Sequence, residues 1–89
     1  MSRYTIVLAR SAQRDLHKLP LKVGHACLEF LEGAVAENPY RVGKPLESSW
    51  EGHYTARRAE YRIIYTIDDH RVIVEVVAIA HRAHAYRPR

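Results

Sequence analysis

A single cysteine, Cys27, leaves no internal disulfide and no cysteine-built zinc site to consider. A lone thiol in a small chain fits a reducing compartment. Glycine and proline occur four times each, too sparsely for a collagenous, linker-like or low-complexity chain. No Gly-rich phosphate loop and no hydrolase-type Ser-His-Asp order is present, and there are no internal repeats. Long apolar runs are missing as well: nothing approaches the ~20 residues of a membrane helix. The start, Met-Ser-Arg-Tyr-Thr-Ile-Val-Leu, gives only a short apolar run before Arg10, shorter than a signal-peptide core. The expectation is a cytoplasmic protein with no membrane association.

What is present points to one small domain over residues 1–89. Of the 89 residues 47% are hydrophobic, enough for a core and too many for a disordered chain. Fourteen Lys and Arg against ten Asp and Glu give a formal charge of +4. Polyanions, either nucleic acid or an acidic protein segment, are therefore the partners to expect.

The apolar pattern predicts a first strand over 4–8. Ser11 is placed to cap a helix over 12–19, which Pro20 closes before a second helix over 21–37. In that second helix Val23, Ala26, Cys27, Phe30, Leu31 and Ala34 form one stripe, with Cys27 filling the helix–sheet core. Asn38-Pro39 is a stop signal, and an ordered basic loop carrying Arg41 and Lys44 is expected up to Ser49. Three strands follow, over 50–57, 61–68 and 71–81. They are joined by tight turns at Ala59-Glu60 and Asp68-Asp69-His70. The last strand is apolar on both faces and reads as central; residues 81–87 read as one helical turn. The layout is β-α-α-β-β-β, an α+β fold with a helical hairpin packed on one face of a mostly antiparallel four-stranded sheet. The other face must either be covered or serve as the working surface.

Strand alternation sorts the cations. Arg62 shares a face with Ile64 and Thr66, and the opposite face carries Tyr61, Ile63, Tyr65 and Ile67. On the preceding strand His53, Thr55 and Arg57 lie together, and Arg58 points the other way as a solvated turn residue. The short hairpin brings Arg57 beside Arg62, with His53 further along. Two guanidiniums at close range repel unless an anion sits between them, which is the arrangement of a phosphate site. Glu60 and Glu75 are the available ion-pair partners. Near the end stand His81, Arg82, His84, Tyr86 and Arg87; histidine and tyrosine beside arginine can move protons around a phosphate. His81 and His84 have no neighbouring Cys, Asp or Glu, so no metal site is read from them. His17 and His25 read as surface residues.

The segments Asn-Pro-Tyr-Arg-Val-Gly-Lys-Pro-Leu (38–46), Gly-His-Tyr-Thr-Ala-Arg (52–57), Tyr-Arg-Ile-Ile-Tyr (61–65) and Ala-His-Arg-Ala-His-Ala-Tyr-Arg (80–87), in this order, resemble the RelE/ParE superfamily of toxins from type II toxin–antitoxin systems, and most of all its RelE branch. The resemblance spans nearly the whole chain. It implies a metal- and cofactor-independent mRNA interferase acting in the ribosomal A site, in which the ribose 2′-hydroxyl attacks the adjacent phosphate and leaves a cyclic phosphate end. It also implies three partners: the ribosome, mRNA and a cognate antitoxin, the last in a heterodimer or heterotetramer. By position, Arg62 matches the arginine on the scissile phosphate and Arg82 a second arginine stabilising the developing charge. Tyr86 matches a tyrosine that packs on or protonates the nucleotide, and Arg57 a basic residue of the same strand. Lys44, Arg41, His84 and Arg87 complete the RNA contacts. The RelE pattern has two lysines where this chain has His53 and Thr55, which leaves either His53, His81 or His84 as the general base or a reaction resting largely on arginine electrostatics and the positioning imposed by the ribosome. The ParE branch implies instead a DNA gyrase inhibitor that acts by binding alone.

Overall fold

The two longest strands lie inside the sheet, where the most apolar segments of the chain belong. In the computed structural model, which describes residues 3–83, the strands are β1 (Thr5–Leu8), β2 (Lys44–Pro45), β3 (Tyr54–Arg58), β4 (Tyr61–Asp68) and β5 (Ile73–His81). The helices are α1 (Arg10–His17), α2 (Leu21–Phe30) and α3 (Pro39–Val42). Strand order is β1-β5-β4-β3-β2. All neighbours are antiparallel except β1 and β5, which are parallel.

The α+β class and the helix-on-one-face arrangement are as expected, but the sheet has five strands rather than four. The additional strand, β2, lies within the segment read as a loop and pairs Lys44 with Thr55 and Pro45 with Tyr54. Two residues are too few to show alternation, and Pro45 has no N–H, so such a strand belongs at an edge. Its shortness and its proline also blunt that edge against further pairing. β3 begins at Tyr54, later than expected. Trp50 instead closes a 3-10 turn (Ser48–Trp50), and the positive φ of Ser48 (59°) and Gly52 (89°) interrupts any extended run there. Similarly, β5 starts at Ile73 because Val72 has φ 55°.

Ser11 does not cap α1. The helix starts two residues earlier than expected, at Arg10 with Ala9 at its N-cap, and the Ser11 hydroxyl donates to the carbonyl of Val77 at 2.6 Å. The reason lies in the parallel pairing. β1 covers β5 only from Ile73 to Val76, so the rest of that β5 edge needs other partners. α1 supplies them: Ser11 takes the Val77 carbonyl and Asp15 Oδ2 accepts from the N–H of Ile79 at 3.0 Å. A helix thus completes an edge that a strand leaves open.

α2 carries the predicted stripe as far as Leu31, and then widens into a π-helical turn (Leu31–Val35). The wider turn rotates the phase, so Val35 is buried and Ala34, expected on the stripe, is exposed. Ala12, Cys27, Leu31 and Val35 from the helices meet Ala56, Ile63, Tyr65, Val74, Val76 and Ile79 from one face of the sheet. Cys27 fills this core as expected. Ile64 and Ala78 lie outside that cluster yet are buried too, so the opposite face has an apolar middle between its polar ends. Among the described residues no helix is long and apolar enough to cross a membrane.

Candidate functional site

Arg57 and Arg62 are direct cross-strand partners in the β3–β4 hairpin. The register follows from the two-residue Ala59-Glu60 turn, where Ala59 has φ 55°. Residues directly opposite in an antiparallel pair share a face, and like charges there oppose pairing. A cleft of about 370 Å³ opens beside them, lined by Val42, Lys44, Thr55, Ala56, Arg57 and Arg62. Lys44 arrives from β2 through its pairing with Thr55. Among the described residues no carboxylate pairs with Lys44, Arg57 or Arg62; the ion pair that does form is Arg82 with Glu60. Nη1 of Arg62 is buried and has no hydrogen-bond acceptor. A buried cationic donor without an acceptor is costly, and an anion in the cleft would satisfy it with a charge-assisted bond.

The other candidates divide by sheet geometry. Thr55 lines the cleft, but His53 does not. His53 precedes β3, roughly 13 Å along the strand from Arg57 at ~3.3 Å per residue. Its ring meets Trp50 edge-on at 5.4 Å, and its Nδ1 is buried without a partner. His81 pairs with Tyr61, whereas Arg62 pairs with Ala80. Alternation therefore puts His81 on the face opposite Arg62, against the expectation of a shared site. There its ring sits edge-on to Tyr61 at 5.6 Å and Nδ1 accepts from the N–H of Ala83 at 3.3 Å.

Arg82 is held at the hairpin turn. Its N–H donates to the Glu60 carbonyl at 2.8 Å, and its Nε lies 3.0 Å from Glu60 Oε2. With the two side chains 63% and 59% exposed, this pair is screened and adds under ~1 kcal/mol. Arg82 can therefore turn to another anion at little cost. Arg41 is exposed on α3 and does not line the cleft. Arg58 points to the helix side, as alternation predicted, and lines a separate groove with Lys22, Val23 and Cys27. Burial pushes the Cys27 thiol pKa up, and nearby Arg58 offsets part of that shift. His84, Tyr86 and Arg87 lie outside the described residues.

Sequence reading missed the frame that holds the Lys44 wall. Asn38 caps α3 by accepting from the N–H of Arg41 at 3.2 Å. The buried Tyr65 hydroxyl donates to the Pro39 carbonyl at 2.7 Å. On the outer side the hydroxyls of Tyr40 and Tyr4 both donate to the Asp69 carboxylate. An Asn-Pro pair followed by tyrosine was the available signal, and it read only as a helix stop.

The two hydroxyls, Tyr4 first and then Tyr40, hold the Asp69 pKa below the usual carboxylate range. The same hydrogen bond is the main cause that raises Tyr40 to about 12. A lowered acid pKa stabilises the fold fully above the unfolded value of about 3.8, with loss as pH falls further. A raised tyrosine pKa stabilises it fully below 10.0, with loss as pH climbs toward about 12. Melting temperature measured against pH should therefore fall at both ends in the wild type, and Asp69→Asn should flatten both limbs.

Comparison with known proteins places this geometry among toxins. The family described as ParE toxin of type II toxin–antitoxin system, parDE, matches residues 6–86. Toxin RelE of Mycobacterium tuberculosis is 45% identical over 84 residues, covering 94% of this chain and 87% of that protein. Toxin RelG of the same organism is 44% identical over 84 residues, covering 94% and 97% respectively. A chain of the crystal structure of the M. tuberculosis toxin–antitoxin complex RelBE2 superposes with a TM-score of 0.89 at 43% identity, covering 93% of this chain and 95% of that one.

Proposed function

The chain belongs to the family of ParE toxins of type II toxin–antitoxin systems, and from that premise we propose that it is a RelE-like toxin that cleaves mRNA on the ribosome. The observation that carries this reading is the buried, acceptor-less Nη1 of Arg62, set directly across from Arg57 in a cleft with Lys44. In the reaction, the 2′-oxygen forms a bond to the adjacent phosphorus and the bond from phosphorus to the 5′-oxygen breaks. The products are a 2′,3′-cyclic phosphate and a 5′-hydroxyl. Negative charge grows on the non-bridging oxygens, where Arg62, Arg57 and Lys44 offer fixed positive charge. Arg82, lightly held by Glu60, can swing to the same phosphate.

Proton transfer is the less well-equipped half of the reaction. His81 faces away and His53 stands well along the strand, so among the described residues no imidazole reaches a phosphate held between Arg57 and Arg62. Thr55 offers a hydroxyl in the cleft but no base near neutral pH. The described residues act by charge and positioning, with His84 and Tyr86 the remaining candidates for moving the proton. By likeness to the RelE toxins and the RelBE2 complex, the chain works in the cytoplasm and is silenced by a cognate antitoxin in a heterodimer or heterotetramer.

The ParE name of the matching family favours a second reading, inhibition of DNA gyrase by binding alone. One experiment separates the two: inducing the protein and mapping mRNA 5′ ends. New ends inside translated frames are expected. Intact mRNA accompanied by a DNA-damage response would overturn the nuclease reading.

A further inference from the structure

The cation least secured by its own strand is Lys44. β2 is two residues long and lies at the sheet edge, and α3 before it has four residues, far too few to hold a helix alone. Beyond the two-residue ladder with β3, the position of Val42 and Lys44 in the cleft therefore draws on side-chain ties to the rest of the fold. Two such ties are seen among the described residues. The inner one runs from the Tyr65 hydroxyl to the Pro39 carbonyl. The outer one runs from the Tyr40 hydroxyl to Asp69, in the turn between β4 and β5. The Tyr40 ring also stands edge-on to Tyr54 at 5.6 Å, and Tyr54 stacks on Tyr65 at 6.1 Å. One side of α3 is thus braced on the sheet and the other on a carboxylate.

We propose that Asp69, acting through Tyr40, is a positioning residue that sets where Lys44 stands in the cleft. It does so from a distance: Asp69 lies just beyond the end of β4, while Arg62 is near its start, roughly 23 Å away at ~3.3 Å per residue. Aspartate suits the task because each carboxylate oxygen accepts one hydroxyl, Tyr4 on Oδ1 and Tyr40 on Oδ2. An asparagine in its place would keep a single acceptor oxygen. The inference rests on the proposed function only in requiring that the cleft takes a phosphodiester chain.

Tyr4 supplies an internal control, since its hydroxyl shares the carboxylate but ties down the N-terminal strand and not α3. The test is binding of a single-stranded RNA oligonucleotide carrying a 2′-O-methyl group at each position, which cannot undergo 2′-hydroxyl attack. Tyr40→Phe, which keeps the ring against Tyr54, should weaken binding about fivefold and reduce its salt dependence. Tyr4→Phe should lower the melting temperature without changing affinity. In a Lys44→Ala background Tyr40→Phe should have no further effect. Equal weakening by Tyr4→Phe and Tyr40→Phe, or a full Tyr40→Phe effect without Lys44, would overturn the proposal. Failure of the wild type to bind the oligonucleotide would sink this proposal and the phosphodiester reading together. Binding without coupling to Lys44 would sink this one alone, and coupling without mRNA cleavage would sink only the nuclease.

Discussion

Arg62→Ala is expected to abolish growth inhibition while the protein melts at or above the wild-type temperature. Both halves follow from the same geometry. Removing a preorganised donor aimed at developing charge commonly costs about a hundredfold to a thousandfold in rate, or ~3–4 kcal/mol of transition-state stabilisation. Stability moves the other way, because the substitution ends the cross-strand repulsion with Arg57 and removes a buried guanidinium nitrogen that lacks an acceptor. A residue kept for packing would show the opposite sign on melting. Arg62→Lys should restore little activity, since a single ammonium cannot reproduce the guanidinium fork on a phosphate. Arg57→Ala should cost less, because Arg57 is exposed and freer to be replaced by solvent cations. The measurements are RNA cleavage in a translating extract, growth on induction, and thermal melting of each variant. Wild-type toxicity of Arg62→Ala would remove this arginine from the chemistry.

The period-two pattern of β3 and β4 was enough to pair Arg57 with Arg62, because a two-residue turn leaves little freedom in register. The same alternation correctly turned Arg58 toward the helices. It could not place His81. The side of the sheet on which a residue of β5 falls depends on its pairing with β4, and the shift at Ile64 and Tyr65 breaks the simple count. Lys44 reads from the sequence as a basic loop residue, and its route into the cleft is hidden, since a two-residue strand ending in proline has no period to read. The π-helical turn that buries Val35 in place of Ala34 is likewise invisible to a 3.6-residue stripe. Legibility thus ends where position is set by long-range side-chain ties, such as those of Tyr40 and Tyr65, and not by local repeat.

Gly43→Ala is the substitution expected to damage the fold most, although its backbone would tolerate any residue. Gly43 has φ −106° and ψ 166°, ordinary extended values. The obstacle is space: a Cβ there would lie 2.0 Å from the Tyr65 hydroxyl oxygen and 2.9 Å from its Cζ. Tyr65 is fully buried and cannot withdraw without breaking its bond to the Pro39 carbonyl. Overpacking and a stranded polar pair together cost about 2–5 kcal/mol. In a chain of this size that lowers the melting temperature by roughly 10–30 °C. Removing the clashing oxygen provides the check: Tyr65→Phe, mildly destabilising alone, should partly rescue Gly43→Ala, leaving the closer approaches to Cζ and to the Pro39 carbonyl. A strongly non-additive cycle of this kind identifies the contact between Gly43 and Tyr65 as the cause. Additive losses would show that Gly43 matters for some other reason. The rescued double variant should still bind the uncleavable oligonucleotide poorly, because its Pro39 carbonyl has lost the inner tie and Lys44 follows directly after residue 43.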